Sequence, residues 1–208
     1  MANTKQRDHL SITGVILAGG KGTRFGGNKA LIRINGQPLI EWIIERYQGI
    51  FDEILISAND PSSYELTGIK TVKDMVPHKG PLMGIYSCLK ESAHEQIFVS
   101  ACDMPFIRIP LVNHMVRQSE GYDVVVPCIG ENKLEPLHAI YRKSCLPAME
   151  RSIESGHKRV ISFFPDVRVY TMEKEELLRH DPELYSFFNI NTRKDLKKAR
   201  EIFYALEI

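Results

Sequence analysis

The chain has 208 residues, 43% of them hydrophobic and 25% charged, and its 27 Lys and Arg residues nearly balance 26 Asp and Glu residues, so that the formal net charge is +1. A chain of this length and composition can bury one large core, and its charge balance argues against a protein that binds nucleic acid or anionic membranes through its overall charge. No apolar run approaches the roughly 20 residues that a membrane-spanning helix needs.

Seven apolar segments rich in β-branched residues predict strands. In chain order they are Ile12–Ala18, Glu53–Ser57, Ile69–Val72, Gln96–Ala101, Asp123–Pro127, His138–Tyr141 and Val167–Met172. Helical spacing predicts one helix that begins at Pro38 and others over Leu82–Leu89, Leu111–Gln118, Ser144–Ile153 and Thr192–Leu206. Because strand and helix alternate over the first 120 residues, we expect an α/β fold. It should be a three-layer αβα sandwich with a Rossmann-like, mostly parallel sheet and some mixed pairing in the C-terminal part.

The N-terminal segment and the cysteines indicate where the protein works. Residues 1–10 form a polar extension without the apolar stretch of a signal peptide, and residues 11–208 fit a single domain. The four cysteines include no C-x-x-C pair, which argues against a zinc ribbon or a redox motif. They are Cys88, Cys102, Cys128 and Cys145. We therefore expect free, packed thiols and a cytoplasmic protein.

The segment after the first predicted strand is rich in glycine and carries two cations. Five glycines lie between Gly19 and Gly27, and Arg24 and Lys29 belong to the same segment. Glycine lets backbone N–H groups approach an anion, and the two cations suit a polyphosphate. This pattern favours a triphosphate site, and a flexible glycine loop without a ligand is the alternative.

The two common phosphate-binding motifs do not match this segment. A P-loop that starts at Gly22 would need lysine where Asn28 stands, and a dinucleotide-binding motif that starts at Gly20 ends on Phe25 instead of glycine. The glycine-rich segment alone therefore identifies no reaction.

Carboxylates follow two of the other predicted strands. Asp103 leaves the strand Gln96–Ala101 just before Pro105, which prevents the ladder from continuing. At the carboxyl end of a strand it is placed to hold Mg2+, which binds one or two carboxylates together with ligand phosphates. Asp74 also follows a strand and is placed to accept from a nucleobase N–H. In each case a carboxylate that merely begins a turn is the alternative.

Short motifs are spread between Ile12 and Phe203. In chain order they are Leu17-Ala-Gly-Gly, Arg24-Phe-Gly with Lys29, Gly80-Pro-Leu-Met-Gly84, Cys102-Asp103-Met-Pro105, Glu135-Pro-Leu-His-Ala-Ile-Tyr141, Gly156-His-Lys-Arg-Val160 and Asn189-Ile-Asn-Thr192. Their order and spacing resemble the molybdenum cofactor guanylyltransferases, which belong to the nucleotidyltransferase superfamily. The resemblance implies a nucleotidyltransferase whose nucleotide-binding part is about 11–120 and whose acceptor-binding part is about 121–208.

The resemblance also implies a reaction. Members of the family transfer GMP from GTP to the terminal phosphate of molybdenum-molybdopterin and release pyrophosphate. GTP and molybdenum-molybdopterin are therefore the expected substrates, with Mg2+ as cofactor, and neither nucleic acid nor a membrane is an expected partner. Molybdenum insertion proteins and molybdoenzyme chaperones are expected protein partners, because so labile a product should be handed over directly.

The resemblance further implies a set of site residues. The positions that match the family's nucleotide site are Leu17, Ala18, Gly19, Gly20, Lys29, Asn59, Asp74, Gly80 and Asp103. The metal falls on Asp103, and Arg24, Lys29 and Asp103 are the expected catalytic residues. The attacking phosphate is already anionic, so no histidine is needed as a base. We expect His138 to be a partly buried core histidine whose hydrogen bonds are satisfied.

Three residues are expected to bind the anionic acceptor. Arg159 ends a basic segment before an apolar stretch, although a solvated run of charge explains that pattern equally well. Asn189 and Asn191 alternate like strand residues that face one side, and we expect Asn191 to reach the metal or the acceptor phosphate. The next residue, Thr192, forms with Asp195 the pattern of a helix N-cap.

Two residues depart from the family pattern. Asn28 stands where the family usually has Asp, which removes a negative charge beside Lys29. Phe25 replaces the usual Met, which keeps an apolar contact.

Alternative functions remain at this point. A cytidylyltransferase would use CTP on the same acceptor, but that branch resembles Leu-Ala-Ala-Gly at the first motif and lacks the second, whereas this chain has Leu17–Gly20 and Gly80–Gly84. Another small-molecule nucleotidyltransferase would lack the Gly-His-Lys-Arg and Asn-Ile-Asn-Thr segments. A non-catalytic regulatory module that binds a nucleotide would have lost the metal carboxylate or the loop cation.

Overall fold

The computed structural model describes residues 10–19, 28–34, 36–77 and 79–206. In chain order the strands are β1 (Leu10–Leu17), β2 (Arg33–Ile34), β3 (Gln37–Pro38), β4 (Phe51–Ser57), β5 (Lys70–Val72), β6 (Gln96–Ala101), β7 (Val124–Pro127), β8 (His138–Arg142) and β9 (Val169–Met172). The α-helices are α1 (Leu39–Gln48), α2 (Pro81–Glu91), α3 (Ile109–Gln118), α4 (Leu146–Glu154), α5 (Lys174–Leu177) and α6 (Arg193–Ala205). Short 3-10 helices cover Lys29–Leu31, Pro61–Thr67, Lys143–Cys145, Val160–Asp166 and Tyr185–Phe187.

Seven strands form one sheet in the order β5-β4-β1-β6-β8-β7-β9. Every neighbouring pair is parallel except the two that involve β8, which runs antiparallel to β6 and to β7. The chain builds β1, β4 and β5 outward to one side and then returns to place β6 on the other side of β1. In open α/β sheets a ligand-binding crevice forms at such a reversal, outside the carboxyl ends of the strands.

Helices cover both faces of this sheet. Alternate residues of β1 point to opposite faces, so that Ile16 packs in a core with α1, α3 and α6, whereas Val15 packs in a second core with α2 and α4. Both residues are completely buried. The arrangement confirms the predicted three-layer αβα sandwich and its mixed pairing in the C-terminal part.

The seven predicted sheet strands are all present, and each end differs by at most two residues from the predicted one. The sequence patterns did not predict the two-residue hairpin β2–β3 or the one-turn helix α5, because neither is long enough to show a period. All four cysteines are free and buried, as expected. Among the helices of the described part, none has the length and apolar character to cross a bilayer.

Candidate active site

A cleft of about 560 Å³ opens at the carboxyl ends of β1, β4 and β6. Leu17 pairs with Ser57 on one side and with Ala101 on the other, so the three strands end at the same level and the segments after them converge. Seven of the predicted nucleotide-binding residues line this cleft. They are Leu17, Gly19, Lys29, Asn59, Asp74, Gly80 and Asp103.

Lys29 contacts two residues that are distant from it in the chain, Asp103 and Asn191, at one side of the cleft. Its Nζ donates to Asp103 Oδ2 at 3.1 Å and to Asn191 Oδ1 at 2.6 Å. The backbone supports this contact, because Ile190 N–H donates to the carbonyl of Asp103 at 2.9 Å and so holds the Asn191 segment against the end of β6. The side chains of Lys29 and Asp103 are only 19% and 21% exposed, so their charges interact in a partly dehydrated setting.

Asn28 helps to position Lys29, and its hydrogen bonds give a reason for an amide rather than a carboxylate at this position. Its Oδ1 accepts from Ala30 N–H at 3.0 Å, which caps the 3-10 helix that carries Lys29. Its Nδ2 donates to the hydroxyl of Tyr64 at 2.8 Å. That hydroxyl already gives its own proton to the carbonyl of Ala18 at 3.1 Å, so residue 28 must be the donor. An amide meets this requirement and an ionised carboxylate does not.

Asn59 and Asp74 form a reciprocal pair after β4 and β5. The Nδ2 of Asn59 donates to Asp74 Oδ2 at 2.8 Å, and the backbone N–H of Asp74 donates to Asn59 Oδ1 at 3.1 Å. Helix α2 approaches this pair closely at Gly84, where a Cβ would lie 2.6 Å from Ser57 Oγ and 3.5 Å from Asp74 Oδ1. The absence of a side chain at Gly84 therefore allows α2 to pack closely against Ser57 and Asp74 at the base of the cleft.

Gly80 connects the cleft to the basic segment predicted to meet the acceptor. It has φ +78°, which favours glycine, and immediately precedes Pro81 at the first position of α2. A Cβ at Gly80 would lie 3.3 Å from the carbonyl oxygen of Lys158. The structure therefore brings the backbone of the Gly156–Val160 segment to the edge of the cleft. Arg159 itself is exposed and is not among the lining residues.

Several other predicted site residues have different surroundings. Ala18 is buried behind the cleft, and its N–H donates to the carbonyl of Ser57 at 2.9 Å. The amide of Asn189 donates to the carbonyl of Phe187 at 3.2 Å, and residues 189–191 do not form a strand. Gly20 and Arg24 lie outside the described residues.

Two polar residues near the cleft were given no role by sequence reasoning. Tyr64 lies in the 3-10 helix Pro61–Thr67, where only its hydrogen bonds reveal its function, and burial raises the pKa of its hydroxyl. Glu135 follows β7 and is half-buried; burial raises the pKa of its carboxyl, and the negative charge of Asp103 adds to the rise. The Glu135-Pro-Leu-His motif was the available signal for the second residue.

His138 differs from the expectation of a partly buried and satisfied histidine. It is completely buried, and neither ring nitrogen has a hydrogen-bond partner among the described residues. Its ring meets Phe98 and Phe187 edge-on, with centroids 4.9 and 5.1 Å apart. Burial lowers the pKa of His138 to about 3, so the ring is neutral at pH 7. A neutral ring sealed in the core agrees with the absence of a catalytic role.

The donor set around Asp103 fits a magnesium ion. Asp103 presents a carboxylate and Asn191 an amide oxygen, and both oxygens contact the same Lys29 ammonium. No cluster of three or more His, Cys, Asp or Glu side chains suited to a metal occurs in the part of the chain that the structure describes. Mg2+ is commonly bound in this way, by one or two carboxylates and by substrate phosphates rather than by a cage of protein ligands.

Known proteins with similar sequences and structures identify the family. The sequence model described as "MobA-like NTP transferase domain" matches residues 14–169. A protein of Pelotomaculum thermopropionicum named "Probable molybdenum cofactor guanylyltransferase" is 41% identical over 92% of this chain and 93% of its own length. A "Molybdenum cofactor guanylyltransferase" of Desulfosudis oleivorans is 37% identical over 91% of this chain and 94% of its own length.

A solved structure agrees with these sequence matches. The crystal structure of molybdopterin-guanine dinucleotide biosynthesis protein A from Archaeoglobus fulgidus is 31% identical and superimposes with a TM-score of 0.80, over 93% of this chain and all of that one. Its fold confirms the mostly parallel sheet with flanking helices. The chain belongs to the MobA-like NTP transferase family and, within it, to the molybdenum cofactor guanylyltransferases.

Proposed function

We propose that this protein transfers GMP from GTP to the terminal phosphate of molybdenum-molybdopterin and releases pyrophosphate. The observation that carries the proposal is the contact of Lys29 with both Asp103 and Asn191. It joins a cation and a carboxylate of the nucleotide-binding part, about 11–120, to an amide of the acceptor-binding part, about 121–208. The names of the relatives support GTP and molybdopterin as the two substrates.

The nucleotide occupies the cleft with its phosphates toward Lys29 and Asp103. The cleft volume of about 560 Å³ suits a ligand of nucleotide size. Guanine presents N–H donors, and we assign the Asp74 carboxylate to accept them, since Asn59 holds it in place through Oδ2 and leaves Oδ1 available. Gly19 and Gly80 leave room for the ligand at the two sides, and Leu17 supplies an apolar wall. The resemblance adds Gly20 and Arg24 on the segment outside the described residues.

The reaction needs positioning and charge rather than a protein base. The acceptor phosphate is already negatively charged at neutral pH, so it attacks the α-phosphorus without losing a proton to the enzyme. Lys29 binds the triphosphate and stabilises the negative charge that develops on the phosphate oxygens. Asp103, with Asn191 beside it, would hold Mg2+, which would supply positive charge to the phosphates. Arg159 and Asn189 complete the proposed acceptor surface.

The protein has further partners under this proposal. A labile dinucleotide product favours direct transfer, so molybdenum insertion proteins and molybdoenzyme chaperones are the proposed protein partners. Free buried thiols, at all four cysteines, support a cytoplasmic location.

The test compares GTP, CTP and ATP as substrates with Mg2+ and molybdenum-loaded molybdopterin. We expect tight binding of GTP alone, transfer of GMP and release of pyrophosphate, and loss of transfer in Asp103→Asn. Asp74→Asn is the matched control: it should weaken the preference for GTP while metal-dependent pyrophosphate release persists. Equal transfer from CTP would favour the cytidylyltransferase alternative, and GTP binding without pyrophosphate release would favour a regulatory module.

A further inference from the structure

A second cavity, of about 180 Å³, lies between α1, the start of α3 and the end of α6. It shares no lining residue with the cleft. Arg46 reaches it from α1 and Arg108 from the residue before α3, and Phe106 and Leu206 form part of an otherwise apolar wall. We name it the arginine pocket after Arg46 and Arg108.

Two like charges line the arginine pocket. No carboxylate of the described residues forms an ion pair with Arg46 or Arg108. Burial lowers the pKa of Arg46, and the positive charge of Arg108 lowers it further. Two guanidinium groups that face one small cavity destabilise each other, so an anion between them would be favoured.

One donor of Arg108 also lacks an acceptor among the described residues. The Nε of Arg108 is completely buried, and no hydrogen-bond acceptor of the described residues reaches it. An unpaired buried donor is costly. Arg46 is held in position, because its guanidinium lies 4.8 Å from the ring centroid of Trp42. The pocket is therefore lined by two cationic side chains, one of which is packed on Trp42.

We propose that the arginine pocket binds a small oxyanion, a phosphate or carboxylate group held by Arg46 and Arg108. Planar guanidinium groups bind both head groups through paired hydrogen bonds. The cavity has about a third of the volume of the cleft, which favours orthophosphate or a short carboxylate over a nucleotide. The pocket is separate from the site of GMP transfer, and the proposal does not rest on that activity.

The protein contains its own reporter for this binding. Trp42 is the only tryptophan of the chain, and the Arg46 guanidinium lies over its ring. The full-length protein is titrated with sodium phosphate, and separately with sodium butyrate, at an ionic strength kept constant with NaCl. We expect a saturable change in Trp42 emission with at least one of the two anions; the one that saturates identifies the head group. Calorimetry under the same conditions provides a second measurement.

Variants separate this pocket from other anion sites. We expect Arg108→Gln to raise the dissociation constant at least tenfold, because it removes a charge-assisted pair of hydrogen bonds. Arg200→Gln, an exposed arginine on α6, should bind like the unmodified protein. Lys29→Met should also keep the signal, since Lys29 lies in the cleft. Phosphate should raise the melting temperature of the unmodified protein and of Arg200→Gln more than that of Arg108→Gln.

Three results would overturn the proposal. The first is no saturable change in emission or heat with either anion, and the second is unchanged affinity in Arg108→Gln. The third is a signal that disappears in Lys29→Met and persists in Arg108→Gln, which would place the anion in the cleft. If Arg108→Gln does not fold, Arg46→Gln replaces it, with binding measured by calorimetry. An unchanged dissociation constant in Arg46→Gln would then overturn the proposal.

Discussion

The side-chain amide of Asn28 donates to the hydroxyl of Tyr64 across 2.8 Å, and the same hydroxyl donates to the carbonyl of Ala18 across 3.1 Å. Ala18 and Asn28 flank the glycine-rich segment, so one tyrosine ties both of its ends to the 3-10 helix Pro61–Thr67. The direction of each hydrogen bond in this relay depends on an amide at residue 28.

Asn28→Asp is therefore expected to destabilise the protein, although aspartate is the usual residue of the family here. The ionised carboxylate cannot donate to Tyr64, and the lost hydrogen bond should lower the free energy of unfolding by about 1 kcal/mol in urea denaturation at pH 8. The control is the same change in a Tyr64→Phe background, where the hydroxyl that accepts this hydrogen bond is absent. An equal cost in both backgrounds would contradict the relay.

Asn191→Ala and Asn189→Ala should have unequal effects on catalysis. Asn191 Oδ1 contacts the Lys29 ammonium at 2.6 Å, whereas Asn189 donates to a backbone carbonyl. We expect kcat to fall about tenfold more in Asn191→Ala than in Asn189→Ala, because a misplaced cation stabilises the developing charge less well. Steady-state kinetics of pyrophosphate release measures the difference, and equal losses would show that the contact with Lys29 does not matter.

Gly84→Ala should weaken the binding of GTP. The new Cβ would lie 2.6 Å from Ser57 Oγ, so α2 or Ser57 must shift at the floor of the cleft. Overpacking of this kind costs about 1–3 kcal/mol, and a second change, Ser57→Ala, should recover part of it. Gly130→Ala is the control, since its Cβ would meet only Lys133 Cβ at 4.0 Å. GTP titration and thermal unfolding of the three variants test this account, and a Gly84→Ala protein that behaves like Gly130→Ala would contradict it.

His138 should make folding sensitive to mild acid. Its pKa is about 3 in the folded protein and about 6.5 in an unfolded chain, so the unfolded state binds the extra proton as the pH falls. Stability from this group is complete above about pH 6.5 and is lost progressively toward pH 3; the loss should be about 2 kcal/mol between pH 7.5 and pH 5.

His138→Phe is the variant that tests this acid sensitivity. Phenylalanine keeps the edge-on contacts with Phe98 and Phe187 and has no group to protonate. We expect the variant to lose about 2 kcal/mol less stability over the same pH range, as urea denaturation at pH 7.5 and pH 5 would show. His157→Gln, at an exposed histidine, should keep the pH dependence of the unmodified protein. A variant at His138 that responds to acid like the unmodified protein would refute the assignment.

The sequence predicted where the sheet strands lie in the chain, but it did not predict the order in which they pair in the sheet. Buried strands such as β1 and β6 are short runs of β-branched and apolar residues, and that local signal suffices to locate them. The insertion of β8 between β6 and β7 depends on pairs such as Gln96 with Arg142, whose partners lie far apart in the chain. Periodicity carries no information about such pairs.

The candidate site shows the same division. Asp74 and Asp103 were predicted because each follows a strand at its carboxyl end, and that rule needs only the local pattern. The other cleft residues were expected from the resemblance to the family. The contact of Lys29 with Asn191 spans 162 positions and follows only from the assembled fold. The hydrogen bonds of Tyr64 could not be predicted either, because its partners, Ala18 and Asn28, are distant in the chain and no sequence pattern indicates such contacts.

The antiparallel direction of β8 affects which part of the chain near the cleft can vary in sequence. Because β8 runs against its neighbours, it starts at the edge where β6 and β7 end, and Leu137 at its start accepts from Ala101 N–H at 3.0 Å beside the cleft. Residues 128–137 therefore form the connection between β7 and β8, and its last residue, Leu137, lines the cleft. Loops accept insertions that strands do not. This connection can therefore vary in sequence and length at one wall of the cleft while the strand ends at Leu17, Ser57 and Ala101 keep the cleft in place.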